Sequence, residues 1–220
     1  MSFTDKKEIG LGRCIVIGAG DFAGLRDVPS PGDLLIAADA GIKNFFSLGL
    51  VPDLILGDFD SLDSAPESLP IKKGTEILRF PIEKDDTDMM LAVKEGLKRG
   101  YRHFELYGGA GGQRVDHLLA NIQTLAYLSK RGAKGSLYGT DYLITTITDD
   151  SIELTARFGA TLSVFAHGGP AEGVTLSGVK YTLYAATLTP DFPLGVSNEA
   201  RADKIFIEVK RGTLIVVLFY

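Results

Sequence analysis

Hydrophobic and polar positions along the first two thirds of the chain follow two alternating rhythms. Short apolar or β-branched runs at 13–17, 33–37, 54–56, 77–80 and 103–107 have the length and composition of buried strands, and each runs into Gly, Asp or Pro. Between them, 41–48, 86–99 and 116–130 read as helices. The second of these places apolar residues at 89, 90, 93 and 97, which is helical spacing, and Gly100 follows it. Gly49 and Gly132 close the other two in the same way. Strand–helix alternation predicts a parallel sheet with helices on its faces.

From about Ser136 the rhythm changes. Strands are expected at 142–146, 151–154, 161–166, 171–176, 204–209 and 213–218, with Gly-rich turns between several of them and no helix. The expected architecture is α/β: an N-terminal parallel-sheet α/β domain over 1–137 and a smaller C-terminal all-β domain over 138–220. No repeat, low-complexity tract or long linker interrupts the pattern.

Composition narrows the function classes. The single cysteine, Cys14, excludes an intramolecular disulfide framework and a Cys-based zinc site. It reads as a core residue of the first strand. The longest apolar run, 214–220, falls far short of the ~20 residues a membrane span needs. The first ten residues are polar and mixed in charge, unlike a secretory signal, so a cytoplasmic protein with no membrane partner is expected. A net charge of −5 argues against general nucleic-acid binding. The charge is concentrated: residues 53–88 hold ten acidic and four basic residues, a net −6 that leaves +1 for the rest.

The order of those acids carries the chemistry. Ligands of open parallel sheets bind beyond the carboxyl ends of the strands. Asp39 follows one expected strand; Asp58 and Asp60, in Gly57-Asp58-Phe59-Asp60-Ser61, follow another. Asp85, Asp86 and Asp88, in Lys84-Asp85-Asp86-Thr87-Asp88, follow a third and open a helix. Asp116 follows a fourth. In extended chain, Asp58 and Asp60 would share one side with Phe59 turned away. Two neighbouring carboxylates without thiols suit Mg²⁺, and a solvated Asp-rich turn is the alternative. Asp85, Thr87 and Asp88 read either as a helix cap or as a second set of ligands. The turn 108–112, followed by Gln113, Arg114 and a helix, offers backbone amides and a guanidinium to an anion, or is simply flexible. It lacks the Gly-Lys-Ser/Thr of a P-loop. Gly18, Gly20 and Gly24 with Asp39 suggest a dinucleotide turn, but the spacing is GxGxxxG, and that reading leaves the later carboxylates unexplained. His103 and His167 read as structural or solvated. His117 either orients Asp116 or caps a helix. Met89 and Met90 fit a buried helix face.

Taken in order, these motifs resemble the thiamine pyrophosphokinase family. The resemblance rests on Ala38-Asp39-Ala40-Gly41, Pro52-Asp53, Gly57 to Ser61, Lys84 to Asp88, the Gly-rich turn with Arg114, Asp116 and His117, and Leu119-Ala120-Asn121. It continues through Gly178-Val179-Lys180-Tyr181 and Gly195-Val196-Ser197-Asn198-Glu199. It implies an α/β domain followed by a β-sandwich, a homodimer with thiamine at the subunit interface, and transfer of pyrophosphate from ATP to the thiamine hydroxyl, releasing AMP. By resemblance, Asp58, Asp60, Asp85 and Asp88 hold Mg²⁺ and the phosphate chain, and Asp88 orients or deprotonates the hydroxyl. Arg114 neutralises phosphate. Asp39, Thr87, Gln113 and Asp116 line the nucleotide side, and Ser197 and Asn198 hydrogen-bond the aminopyrimidine. Three features depart from the family pattern. Gln113 lengthens the Gly-rich turn, so either it or Arg114 faces phosphate. Met90 stands where an acid is frequent. The chain has no Trp to stack on thiamine. The competing readings are an Mg²⁺-dependent transferase for another small alcohol, a nucleotide or thiamine sensor without turnover, and an NAD-dependent oxidoreductase.

Overall fold

The computed structural model describes residues 11–60, 66–111 and 114–220. Six strands form a parallel array: β1 (Cys14–Ile17), β2 (Leu34–Ala38), β3 (Leu54–Gly57), β4 (Glu76–Arg79), β5 (His103–Tyr107) and β6 (Lys134–Tyr138). Their order is β4-β3-β2-β1-β5-β6. From β1 the chain steps outward to β4, then crosses back to pair β5 against the other side of β1. The winding direction therefore reverses between β1 and β5, where open α/β sheets leave a crevice beyond the strand ends.

Strand alternation divides the core. Cys14, Val16, Ile36, Leu56 and Leu106 face the side covered by α2 (Asp88–Lys98) and α3 (Val115–Ser129). Ile15, Ile17, Ala37, Ile55 and Tyr107 face the side covered by α1 (Ile42–Ser47), with Phe45 fully buried. Burial on both faces explains why β1, β2 and β3 are apolar throughout rather than alternating.

Beyond β6 the sheet continues antiparallel through β7 (Tyr142–Thr148), β13 (Arg211–Phe219) and β9 (Thr161–Ser177). A second layer pairs β12 (Lys204–Glu208) with β8 (Ser151–Thr155) and with β9. The early part of β9 pairs with β13 and with β11 (Gly195–Glu199), and its later part with β10 (Leu183–Leu188) and β12. One strand thus serves both layers. On β13, Leu214, Val216 and Leu218 enter the C-terminal core, while Ile215 and Val217 pack on the helix side.

The elements expected up to residue 130 match the observed ones to within two residues. The second helix starts at Asp88 because Thr87 caps it: its hydroxyl accepts the Met90 N–H at 3.2 Å, which leaves Asp85 and Asp86 outside. The C-terminal half differs more. The runs expected as separate strands at 161–166 and 171–176 are one strand that passes through Gly168, Gly169 and Pro170. β6, β10 and β11 have no counterpart in the expected list. The array at the N-terminal end is parallel and the remainder is largely antiparallel, so the sheet as a whole is mixed.

Candidate functional site

The carboxylates gather because adjacent parallel strands end together. Asp39 follows β2 with a left-handed backbone, φ +49°. Gly57 ends β3 beside it at φ +150°, and a Cβ there would lie 3.1 Å from Asp39 Cα. Only glycine lets the 57–60 turn pass this close. The chain then turns through Phe59, φ +65°, whose ring is buried in the α1-side core with the Arg79 guanidinium 5.3 Å from its centroid. The extended backbone expected for 58–60 is therefore a turn. Burial of Phe59 sustains the strained conformation, and Asp58 Oδ1 closes the turn by accepting the Asp60 N–H at 3.2 Å. The outcome still brings carboxylates together, with a third member: Asp39, Asp58 and Asp60 each place an oxygen within 4.8 Å of the others. Asp39 Oδ1 is buried with no hydrogen-bond partner among the described residues. A hard cation suits such a group.

Lys84 crosses from the loop before α2. Its ammonium donates to Asp58 Oδ2 at 2.9 Å and stands 2.8 Å from Asp88 Oδ1, off the hydrogen-bonding direction. The Lys84 hydrogen bond holds the Asp58 carboxyl below the usual carboxylate range. Burial works against the Lys84 charge, but Asp88 and Asp58 outweigh it and raise its pKa. Burial pushes Asp88 up; Lys84 opposes that rise, and Asp58 and Asp39 add to it.

A cavity of about 530 Å³ opens beside this group, between the ends of β1 and β5. Its floor is two interlocked turns. Gly18 N–H donates to Tyr107 O and Gly20 N–H to Gly108 O, both at 2.9 Å. Gly108 has φ +63°, and a Cβ on it would strike the Gly18 carbonyl. Asn121, buried on α3, donates Nδ2 to Gly109 O at 2.8 Å and fixes the second turn. Asp39, Thr87, Asp88, Arg114 and His117 also line the cavity, and both α2 and α3 begin at it. Two helix N-termini make its rim attractive to anions.

The other expected residues divide. Asp85 is exposed and outside the carboxylate group, and Asp86 pairs with Lys94 at 2.6 Å. Arg114 and Asp116 form an exposed two-pronged pair at 2.9 and 2.7 Å, and the guanidinium holds the Asp116 carboxyl well below the usual range. Gln113 lies outside the described residues. The chemistry of the sequence alone passed over Lys84 and Asn121 as site residues, and it weighed the Gly18 turn only as a dinucleotide turn, which it set aside. The signals were present: Lys84 stands four residues before Asp88, and Gly18-x-Gly20 follows the first strand at the switch point.

Comparison with known families gives the site its context. The model of the thiamin pyrophosphokinase catalytic domain matches residues 26–136, and that of the family's vitamin B1 binding domain matches 148–214. The chain belongs to the thiamin pyrophosphokinase family. Its activity is the family's, diphosphate transfer to thiamine. It is similar to thiamine pyrophosphokinase of Bacillus subtilis (strain 168), 28% identical over 186 residues, with 84% of this chain and 86% of that one covered. A solved thiamin pyrophosphokinase family protein from Enterococcus faecalis superposes with a TM-score of 0.79 at 26% identity, covering 95% of this chain and 99% of that one. Thiamin pyrophosphokinase from Geobacillus thermodenitrificans shares the fold, with a TM-score of 0.81 at 22% identity over 95% of this chain and 98% of that one.

Within the vitamin B1 binding segment, Ser197 is exposed with φ +58°, and its N–H donates to Ser163 Oγ at 3.1 Å. Asn198 is buried. Its Oδ1 accepts from the Tyr181 and Glu199 amides, each at 2.9 Å, and its Nδ2 donates to Tyr181 O at 2.7 Å. Its amide therefore holds the Tyr181 backbone, while the Tyr181 ring stands exposed. No helix among the described residues is long and apolar enough to cross a membrane.

Proposed function

We propose that the cavity takes ATP with Mg²⁺, and that the thiamine hydroxyl attacks the β-phosphorus to give thiamine diphosphate and AMP. One observation carries this reading: Asp39, Asp58 and Asp60 gather at the rim of a glycine-floored crevice at the switch point. Their hard oxygens, and a buried Asp39 Oδ1 with no hydrogen-bond partner among the described residues, fit Mg²⁺, which when bound supplies charge neutralisation for the phosphate chain. Asp85, exposed and outside that group, is given no part in it.

The chain's own residues do the rest. Amides at the starts of α2 and α3 face the phosphates. Arg114 exchanges Asp116 for phosphate oxygens, and Asp116 keeps the guanidinium oriented until it does. Thr87, by capping α2, fixes the position of Asp88. The Asp88 carboxyl, made more basic by burial, accepts the hydroxyl proton of thiamine. Phosphoryl-type transfer needs little beyond such positioning and charge balance.

Residues 1–137 act as the nucleotide-binding domain and 138–220 as a β-sandwich that binds thiamine and joins two subunits of a cytoplasmic homodimer. Exposed Tyr184, Phe192 and Val196, the last next to Ser197 in the chain, support a partner surface on this segment, and the Tyr181 ring supplies an aromatic face in a chain without Trp. The test is AMP release from ATP and Mg²⁺, with and without thiamine, with the diphosphate product followed by mass. Thiamine-dependent AMP with matching product is expected. AMP release with another alcohol but none with thiamine would refute the acceptor.

A further inference from the structure

Four carboxylates converge where β2, β3 and α2 meet: Asp39, Asp58, Asp60 and Asp88. Lys84 is in ion-pair contact with two of them, Asp58 at 2.9 Å and Asp88 at 2.8 Å. Its side chain is 13% exposed, as is that of Asp58. A lysine loses hydration and rotamer freedom when held this closely, and is retained there only if its charge is answered. It comes from a different element than Asp58 and therefore ties the β3 turn to the start of α2. The same Asp58 also belongs to the group whose oxygens can close on a cation.

We infer that Lys84 is the resident cation of the acidic site: it holds Asp58 and Asp88 together in the metal-free protein and yields Asp58 when a divalent ion arrives. This inference rests on the cation site proposed above. Two positive groups sharing one carboxylate repel at short range, so the ammonium and the ion compete for Asp58. Without the ammonium, Asp58 and Asp88 repel one another until an ion compensates. Lys84 is a positioning residue in this scheme. It preorganises the ligands and keeps the empty site folded, and it sets how tightly the ion is held.

The experiment uses the full chain and Mn²⁺ as the probe, with ADP present or absent, read by equilibrium titration and by melting temperature. Lys84→Met is expected to melt lower without Mn²⁺ and to bind Mn²⁺ more tightly, by about tenfold. It should also gain more in melting temperature from the ion than the wild type does, because stabilisation by a ligand grows with its affinity. Lys84→Arg keeps the charge and should follow the wild type. Should Lys84→Met not fold, Lys84→Gln takes its place with the same expectations. Equal Mn²⁺ affinity and equal ion-induced stabilisation in wild type and variant would overturn the inference, leaving Lys84 an ordinary structural pair. No Mn²⁺ binding by either protein, with or without ADP, would refute the cation site itself and the inference with it.

Discussion

Replacing Gly108 by Ala tests the interlocked turns that floor the cavity. Two costs add at this position. Its φ of +63° is one that an L residue adopts at a cost of about 1–2 kcal/mol. The new Cβ would also meet the Gly18 carbonyl, with Gly18 C at 2.9 Å. That carbonyl cannot retreat cheaply, because the amides of Gly18 and Gly20 are both hydrogen-bonded across the same seam. Gly132 supplies the control. Its φ is +67°, yet nothing lies within 4 Å of a Cβ built there. Gly132→Ala should therefore lose only the conformational term, offset in part by the lower entropy of its unfolded chain, for a net cost of about 1 kcal/mol or less. Gly108→Ala should lose about 3 kcal/mol or more once overpacking is added. For a chain of this size a difference of about 2 kcal/mol separates the two by roughly 4–8 °C in melting temperature. Urea unfolding at unchanged slope is the second readout. Nucleotide affinity should fall only in Gly108→Ala, since Gly132 is remote from the cavity lining. Equal losses in the two variants would refute the close-approach argument and reduce Gly108 to an ordinary turn glycine.

Other outcomes follow from the same geometry. Asp60→Asn, at an exposed position, should leave melting unchanged and lower kcat by about two orders of magnitude or more, measured as thiamine-dependent AMP release. Asn121→Ala strips the buried donor from the Gly109 carbonyl and should cost about 1–3 kcal/mol in urea unfolding. Arg114→Ala, in an exposed pair, should leave melting unchanged and raise KM for ATP; an unchanged KM would remove Arg114 from the phosphate site. Arg13 pairs with Asp33 at 2.6 Å and with Glu105 at 3.1 Å, and the Asp33 side chain is only 4% exposed. Arg13→Met should cost about 2–4 kcal/mol at neutral pH by leaving that carboxylate unanswered. Burial opposes ionisation of Asp33, but Arg13 and two backbone amides outweigh it and hold its pKa low. That stabilisation is present above the unfolded carboxylate pKa near ~4 and is lost as pH falls through the lower native value. The acid limb of a stability–pH curve should therefore be shallower in Arg13→Met; an identical limb would refute the assignment.

Much of the α/β half was legible because its signals are local. The period of apolar residues, the glycines at 49, 100 and 132, and the acids after expected strands all lie within one or two turns of chain. Thr87 as a cap was one of two readings left open, and the hydroxyl's bond to Met90 N–H favours it. The C-terminal half was less legible. The Gly-Gly-Pro at 168–170 breaks the pattern, but β9 runs through it because partners on both layers supply its hydrogen bonds. β10 reads Leu183-Tyr184-Ala185-Ala186-Thr187-Leu188, with two alanines and no Val or Ile, so it lacks the β-branched aliphatic run that marks a strand. Phe59 also escaped, since only its burial explains a left-handed residue between two aspartates.

What the sequence determined by itself is the set of parts: which segments coil, which extend, and that carboxylates and glycines stand at strand ends. Those properties follow from interactions between near neighbours in the chain. Which parts meet was decided only by the tertiary structure. The pairing of β2 with β3 brings Asp39 to Asp58 and Asp60, and the pairing of β1 with β5 locks the Gly18 turn onto Gly108. Lys84 reaches Asp58 across 26 residues of chain. Strand order is a non-local choice, made by burying two faces of one sheet at once, and no local pattern encodes it.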